Sequence, residues 1–368
     1  MLFLDGRNKI FKYFAVVLGF VTWNLLLLTM QASYVKHQHQ SCKRSNSPEA
    51  IKTAATQKEM TLQSRNVTSS NKTDTSDKSL YSTISSSAKS IKILKEPMFY
   101  FKNDKSSCFP GKKISWSMII FIKSAASYGI RREWIRNTWG SIGYLDGATF
   151  QIVFVIGQAK ATTQALLDEE YNRYGDILQV EASDAYQDVG LKTLSGMQWT
   201  LDKLPRQYFY SSGDDDMMID LVKVKEAVDQ NIAKTSEEKW PEFPIICTFE
   251  TSLVESKPIR WKLSKNYISE KDYRWPFWPK FCKGGFYTTS VRVITQLWEA
   301  SLTSKRINTD DVFITGILRQ KIGMPDEMVV PGISETCQHL GGFIENRFKT
   351  MWSERKKKFE NKSICFKL

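Results

Sequence analysis

From Ile114 onward short apolar runs of strand length alternate with longer helical runs, a pattern that leaves an α/β domain with a largely parallel sheet as the natural architecture. The spacing predicts a strand over Ile114 to Lys123, a helix over Ile130 to Trp139, a strand over Phe150 to Ile156 and a helix over Thr162 to Tyr174. A strand at Ile177 to Val180 and a helix from Leu191 to Leu204 follow, and a strand at Tyr208 to Ser212 ends in Gly213-Asp214-Asp215-Asp216. Two helices close the domain, Ser290 to Ser301 and Asp310 to Lys321. Three carboxylates directly after a buried strand stand at the carboxyl edge of the sheet, where open α/β folds bind ligands. The segment Trp240 to Phe286 is rich in Trp, Pro and Lys and less regular, as expected of loops that shape a second substrate site.

Upstream, Tyr13 to Met30 carries no charge and spans about 27 Å as a helix, close to the roughly 30 Å of bilayer hydrocarbon. The run is read as an uncleaved anchor; the rival, a cleavable signal peptide, has a shorter apolar core and a small-residue cleavage site. Arg7, Lys9 and Lys12 before it are matched by Lys36, Lys43 and Arg44 after it, so charge does not orient it. The acceptor sequons at Asn66, Asn71 and Asn361 are usable only if everything after the anchor is lumenal. Half of residues 61 to 90 are Ser or Thr, which reads as a disordered stem over 31–113, its last part, Ile91 to Phe101, apolar enough to pack on the globular domain. The layout is thus a tail at 1–12, an anchor at 13–30, a stem at 31–113, a catalytic domain at 114–346 and a basic tail at 347–368.

The formal charge of +13 lies outside the core: residues 1–30 carry +2, 31–113 +9, 114–346 −4 and 347–368 +6. No basic groove for nucleic acid is expected. Six scattered cysteines without CxxC spacing suit disulfides in an oxidising compartment. Cys42, isolated in a polar segment, reads either as a free thiol or as a link between two chains of a homodimer.

Three segments carry chemistry. An Asp-x-Asp pair suits Mg2+ or Mn2+, whose open positions take diphosphate oxygens; alone, such a run equally reads as a solvated loop or a helix N-terminus. In Arg131 to Trp139, Arg132 and Arg136 share a helix face and can meet an anionic ligand, or form an ordinary surface pair beside a Trp-rich packing face. In Thr309-Asp310-Asp311-Val312, a carboxylate either caps the following helix or serves as general base to an attacking hydroxyl.

In this order the segments resemble the beta-1,3-galactosyltransferase and beta-1,3-N-acetylglucosaminyltransferase family of Golgi enzymes, over about residues 114 to 340. The Arg-x-x-x-Ile-Arg-x-Thr-Trp pattern is similar to Arg131 to Trp139, and Asp184-Ala185-Tyr186 with Leu191-Lys192-Thr193-Leu194 resembles the stretch before the acidic triplet. Asp214-Asp215-Asp216, Pro279 to Tyr287 and Asp310-Asp311-Val312 complete the resemblance. It implies a GT-A fold, Rossmann-like with flanking helices, and inverting transfer of a hexose from a UDP-sugar in beta-1,3 linkage to a glycan on a glycoprotein or glycolipid. Galactose from UDP-galactose is the first expectation and UDP-N-acetylglucosamine the second. It also implies Mn2+ or Mg2+ on Asp216, with His339 either completing the metal site or structural, Asp311 as catalytic base, Arg132 and Arg136 near the nucleotide, and Asp214 and Asp215 on the nucleotide-sugar. The implied setting is a single-pass type II protein of the Golgi membrane with a lumenal catalytic domain. Where the family commonly has Lys before the triplet this chain has Gly213, and Asp310 stands for the Glu of Glu-Asp-Val. Two readings of other classes stand beside this one: an inactive family member acting as a chaperone of a transferase, and a membrane-tethered basic protein that binds acidic glycans through its stem and tail.

Overall fold

The computed structural model describes residues 91–98, 111, 113–235, 242–248, 257–283, 285–332 and 345–367. The anchor run, the first two sequons, Cys42 and His339 lie outside them. Along the chain come β1 (Ile93–Lys95), β2 (Trp116–Lys123), α1 (Gly129–Asn137), β3 (Ile142–Leu145) and β4 (Ala148–Ile156). Next are α2 (Ala161–Tyr174), β5 (Ile177–Val180), α3 (Val189–Lys203), β6 (Phe209–Asp214) and α4 (Leu221–Ile232). The chain ends with β7 (Ile245–Cys247), β8 (Phe286–Ser290), α5 (Val291–Leu302), a π-helix Val312–Leu318 continued by Arg319–Lys321, β9 (Val329–Pro331), α6 (Glu345–Lys356) and β10 (Ile364–Phe366).

One mixed sheet joins the strands in the order β1-β5-β4-β2-β6-β8-β7-β9, with β3 on β4 and β10 on β3. Its centre is parallel, with β4 and β6 flanking β2 and β5 following β4 in the same direction, and β9 pairs with β7 in parallel at one edge. The expectation of a largely parallel sheet is therefore corrected: β1, β3 and β10 on one side run antiparallel to their neighbours, and β8 lies antiparallel between β6 and β7. Helical crossovers enforce parallel order in the first half. β8 has no such crossover and returns to β6 antiparallel from an irregular loop. Met118 to Ile122 of β2 are fully buried, as a strand covered on both faces demands, and this explains its unbroken apolar run.

Strand order reverses at β2. The chain moves outward from β2 to β4 and β5, then α3 carries it back to β6 on the opposite side. The crevice of a doubly wound sheet opens at such a switch point, beyond the carboxyl ends of the two strands. Lys123 and Asp214 are those two ends, paired in register.

Both boundaries of the domain lie outside the expected 114–346. Upstream, β1 pairs with β5 and Ile91 and Ile93 pack on the core, as the apolar end of the stem suggested. Downstream, the basic tail is corrected: α6 buries Phe348 and Met351, and β10 adds an antiparallel strand to β3. The positive charge misled because part of it is internally paired. Arg355 Nη1 and Lys358 Nζ lie 2.5 and 3.2 Å from Asp220 Oδ2, which is nearly inaccessible, while Asp220 Oδ1 accepts from Val222 N and Lys223 N and caps α4. Among the described residues no helix is long and apolar enough to cross a membrane.

Removing one partner of a buried ion pair leaves the other charge desolvated. Arg355→Met is therefore expected to lower the unfolding free energy by about 2 kcal/mol, since Lys358 and the α4 amides still face Asp220, read from urea denaturation, even though it alters a segment rich in surface charge.

Candidate active site

The loop that follows β2, from Ser124 to Tyr128, is held by two buried cations. Arg132, fully buried on α1, engages all five guanidinium N–H groups: Nε and Nη2 donate to the Glu170 carboxylate at 2.8 and 2.7 Å, Nη1 to Ser124 Oγ at 3.0 Å and to Ala125 O, and Nη2 to Ala126 O at 3.1 Å. Lys192, buried on α3, donates to Ser124 O at 2.9 Å and to Asp184 Oδ1 at 2.6 Å. Asp184 in turn accepts from Ala126 N at 2.6 Å and Gly157 N at 3.0 Å. The Asp184-Ala185-Tyr186 and Leu191-Lys192 segments of the sequence thus meet as one support for this loop.

On that support sits the carboxylate triplet. Asp215 Oδ2 accepts from Ser124 Oγ at 2.7 Å and Oδ1 from Arg131 Nη1 at 2.8 Å. Burial pushes the Asp215 carboxyl up, and the hydrogen bonds from Ser124 and Arg131 offset only part of that rise. Asp214 N donates to Gly285 O at 2.9 Å, closing the backbone over the β6–β8 pair. A Cβ on Gly213 would stand 2.9 Å from the Phe286 ring and 3.1 Å from Gly285 O, so the lysine common in the family at this position has no room here. Gly285 itself is at φ +67, and a Cβ there would strike Met217 at 2.5 Å.

The second carboxylate segment arrives from about a hundred residues downstream. Asp310 Oδ2 accepts from Lys123 Nζ at 2.9 Å and from Thr193 Oγ1 at 3.2 Å, while the same ammonium lies 3.1 Å from Asp214 Oδ1. Burial pulls the Lys123 pKa down, but Asp214 and Asp310 outweigh it and hold the ammonium above the ordinary lysine range. Asp311 Oδ1 accepts from Val312 N at 2.9 Å, so its helix-capping role is realised at the start of the π-helix. Such helices are frequent at functional sites. The phenol of Tyr186 is pushed up to about 12, first by burial and then by Asp310, Asp311 and Asp214, so it shares this acidic pocket.

Asp214, Asp215, Asp216, Asp310 and Asp311 are therefore brought to one crevice. The two arginines expected near the nucleotide are not. Arg132 has no N–H left for a phosphate, and Arg136 is committed to Asp176 at 2.7 Å and to Glu170 at 2.8 Å, stacked over Tyr174 and Phe154. A four-residue spacing places both on one helix face, but that face turns toward α2 and not toward the triplet. Arg131 faces the triplet instead. Lys123 and Ser124 were not singled out by the sequence pattern; only the hydrophilic end of an apolar strand marked them. Lys192 stood within a matching stretch, but nothing in its spacing showed what it holds.

The irregular segment beyond β7 is pinned beside this crevice. Cys247 and Cys282 form a disulfide, Cys282 N donates to Thr315 Oγ1 at 2.9 Å on the π-helix, and Asn308 Nδ2 donates to Tyr267 O at 3.0 Å. Lys265 lies over the Tyr186 ring at 4.8 Å. Cys365 is also disulfide-bonded.

Carboxylates are hard oxygen donors and fit Mg2+ or Mn2+ by chemistry. Among the described residues no group of three or more His, Cys, Asp or Glu side chains is arranged to hold a metal, and a cation that shares its coordination with diphosphate oxygens requires only one or two carboxylates.

An acidic crevice at the switch point of a doubly wound sheet defines an α/β protein built to bind a ligand through polar contacts at its strand ends. The chain belongs to the galactosyltransferase family, whose model matches residues 130–329, more than half of its length. It is 32% identical over 207 residues to the Beta-1,3-galactosyltransferase brn of Drosophila melanogaster, a match covering 56% of this chain and 61% of that protein. It is 27% identical over 232 residues to human Beta-1,3-galactosyltransferase 5, covering 61% and 71% of the two chains. It is 29% identical over 250 residues to human Lactosylceramide 1,3-N-acetyl-beta-D-glucosaminyltransferase, covering 65% and 63%. The chain thus spans less than two thirds of the length of the first of these relatives. Among solved structures, mouse xyloside xylosyltransferase 1 aligns at a TM-score of 0.29 and 11% identity over 58% of this chain and 83% of its own, too slight a likeness to add to the assignment.

If Arg132 supports the loop, Arg132→Lys, which replaces a planar five-donor fork by a three-donor point charge, is expected to lower stability by about 3 kcal/mol. Arg131→Lys, at a partly exposed position, is expected to cost less than about 1 kcal/mol. Thermal melts of the two variants side by side check the contrast.

Proposed function

We propose that this chain is an inverting hexosyltransferase of GT-A fold that moves a sugar from a UDP-sugar to a glycan hydroxyl in beta-1,3 linkage. The observation that carries the reading is the meeting of the acidic triplet and the Asp310-Asp311 segment on the Lys123 ammonium, at 3.1 and 2.9 Å. It sets a donor-side carboxylate group beside a carboxylate able to take a proton, which a direct displacement requires. UDP-galactose is the proposed donor. UDP-N-acetylglucosamine is the second reading, since one of the relatives is named for N-acetylglucosamine transfer.

In this reading Asp216 holds a Mn2+ or Mg2+ ion, and Asp214 and Asp215 contact the nucleotide-sugar; His339, outside the described residues, is the further proposed metal ligand. When bound, the cation neutralises charge on the departing diphosphate. Asp311 accepts the proton of the attacking hydroxyl, and the Ser124–Tyr128 loop, braced by Arg132 and Lys192, keeps the donor-side carboxylates in place. The acceptor glycan lies against the aromatic segment, where Trp261, Trp275 and Phe277 remain exposed although Arg260 ties the segment together through Ile268 O and Tyr273 O. Apolar ring faces beside hydrogen-bonding edges suit a sugar acceptor. The proposed setting is the Golgi lumen, with Tyr13 to Met30 as a type II anchor and the polar segment after it as a stem. In that setting Asn361, exposed in the turn before β10, is a proposed glycan acceptor.

Asp216→Ala is expected to abolish the Mn2+-dependent part of UDP-sugar binding, read by calorimetry with Mn2+ against EDTA. Asp311→Asn is expected to keep donor binding within about threefold and to lower kcat by at least about a hundredfold, the scale of general-base catalysis. Transfer by Asp311→Asn at the normal rate would overturn the base assignment.

A further inference from the structure

Lys123 belongs to none of the motif segments, yet its ammonium touches both acidic segments. It ends β2 directly opposite Asp214 in the parallel register, so the backbone fixes the pair side by side. Its side chain is 11% exposed, with Asp214 Oδ1 at 3.1 Å and Asp310 Oδ2 at 2.9 Å. Away from bulk water such attractions are strengthened, and so is the repulsion of the two carboxylates if the cation is lost. Asp310 is also held from α3 by Thr193 Oγ1 at 3.2 Å. The start of the π-helix is thereby anchored to β2 and to α3, and Asp311 is the next residue in the chain. Lysine suits this position because its ammonium directs three donors from a flexible stem toward separate oxygens.

We propose that Lys123 is a positioning residue that clamps Asp214 and Asp310 on one ammonium and so sets the gap between the donor-side carboxylates and the Asp311 base. This rests on the transferase reading above. Lys123 acts here through the two aspartates and takes no proton from the substrate. Its loss lets the start of the π-helix recoil from the triplet, which misplaces Asp311 while the triplet keeps its own supports at Ser124 and Arg131. A displacement of about 1 Å is enough to cost about a hundredfold in rate.

The test uses the full chain made in a secretory host, with kcat, donor KM and UDP binding in Mn2+ measured for Lys123→Met, Asp310→Asn and the double variant. The expected result for each single variant is a fall in kcat of about a hundredfold with UDP affinity within about threefold of the parent. The double variant is expected to fall no further than the lower single variant, because both remove the same link. Should Lys123→Met fail to fold, Asp310→Asn, which keeps side-chain size and leaves Lys123 in place, carries the same expectation. Normal kcat in the variants, a matching loss of UDP affinity, or losses that multiply in the double variant each overturn the proposal. A parent chain without turnover on any UDP-sugar overturns the transferase reading and this inference with it, so the two failures are told apart by the parent.

Discussion

Everything at the crevice depends on the parallel pairing of β2 with β6. Its register brings Lys123 level with Asp214, so the last residue of one apolar strand neutralises the first carboxylate after the other. A shift of one residue would take Lys123 out of level with Asp214 and leave a nearly buried charge without that partner. Met118 to Ile122 and Phe209 to Tyr210 are buried, and the first charged residues after these runs emerge together at the sheet edge. Core packing therefore sets the geometry of a polar site that contributes little to the core itself.

Around this pair the protein opposes buried negative charge with its own cations. Lys123 faces Asp214 and Asp310, Arg131 faces Asp215, Lys192 faces Asp184, and Arg132 faces Glu170. Such groups are oriented before any ligand arrives, which lowers the reorganisation required when charge develops there. The arrangement also distributes the work. Arg132 and Lys192 hold a loop, and Asp215 binds that loop from the other side through Ser124, so the acidic triplet inherits its position from two helices and a strand.

The fold and part of the site were legible along the chain because their signals are local. Apolar runs located β2, β4, β5 and β6, and the helices between them, to within a few residues; the helix expected over Asp310 to Lys321 is present with a π-helical centre. Strands β7, β9 and β10 are three residues each, too short for a periodic signal, and α6 was hidden by its positive charge. The arginine pair shows the limit most clearly. Spacing put Arg132 and Arg136 on one face, but which neighbour that face meets depends on α2, whose Glu170 lies 38 residues from Arg132 in sequence.

The sequence by itself determined the alternation of strands and helices, the strand-end position of Asp214 to Asp216 and the family, because each is written in contiguous residues. Tertiary structure alone decided which cation faces which carboxylate, that Arg131 and not Arg132 turns to the triplet, and that Asp310 meets Asp214 across Lys123. Those outcomes are set by strand order, register and burial, and each joins residues that only the folded sheet makes neighbours.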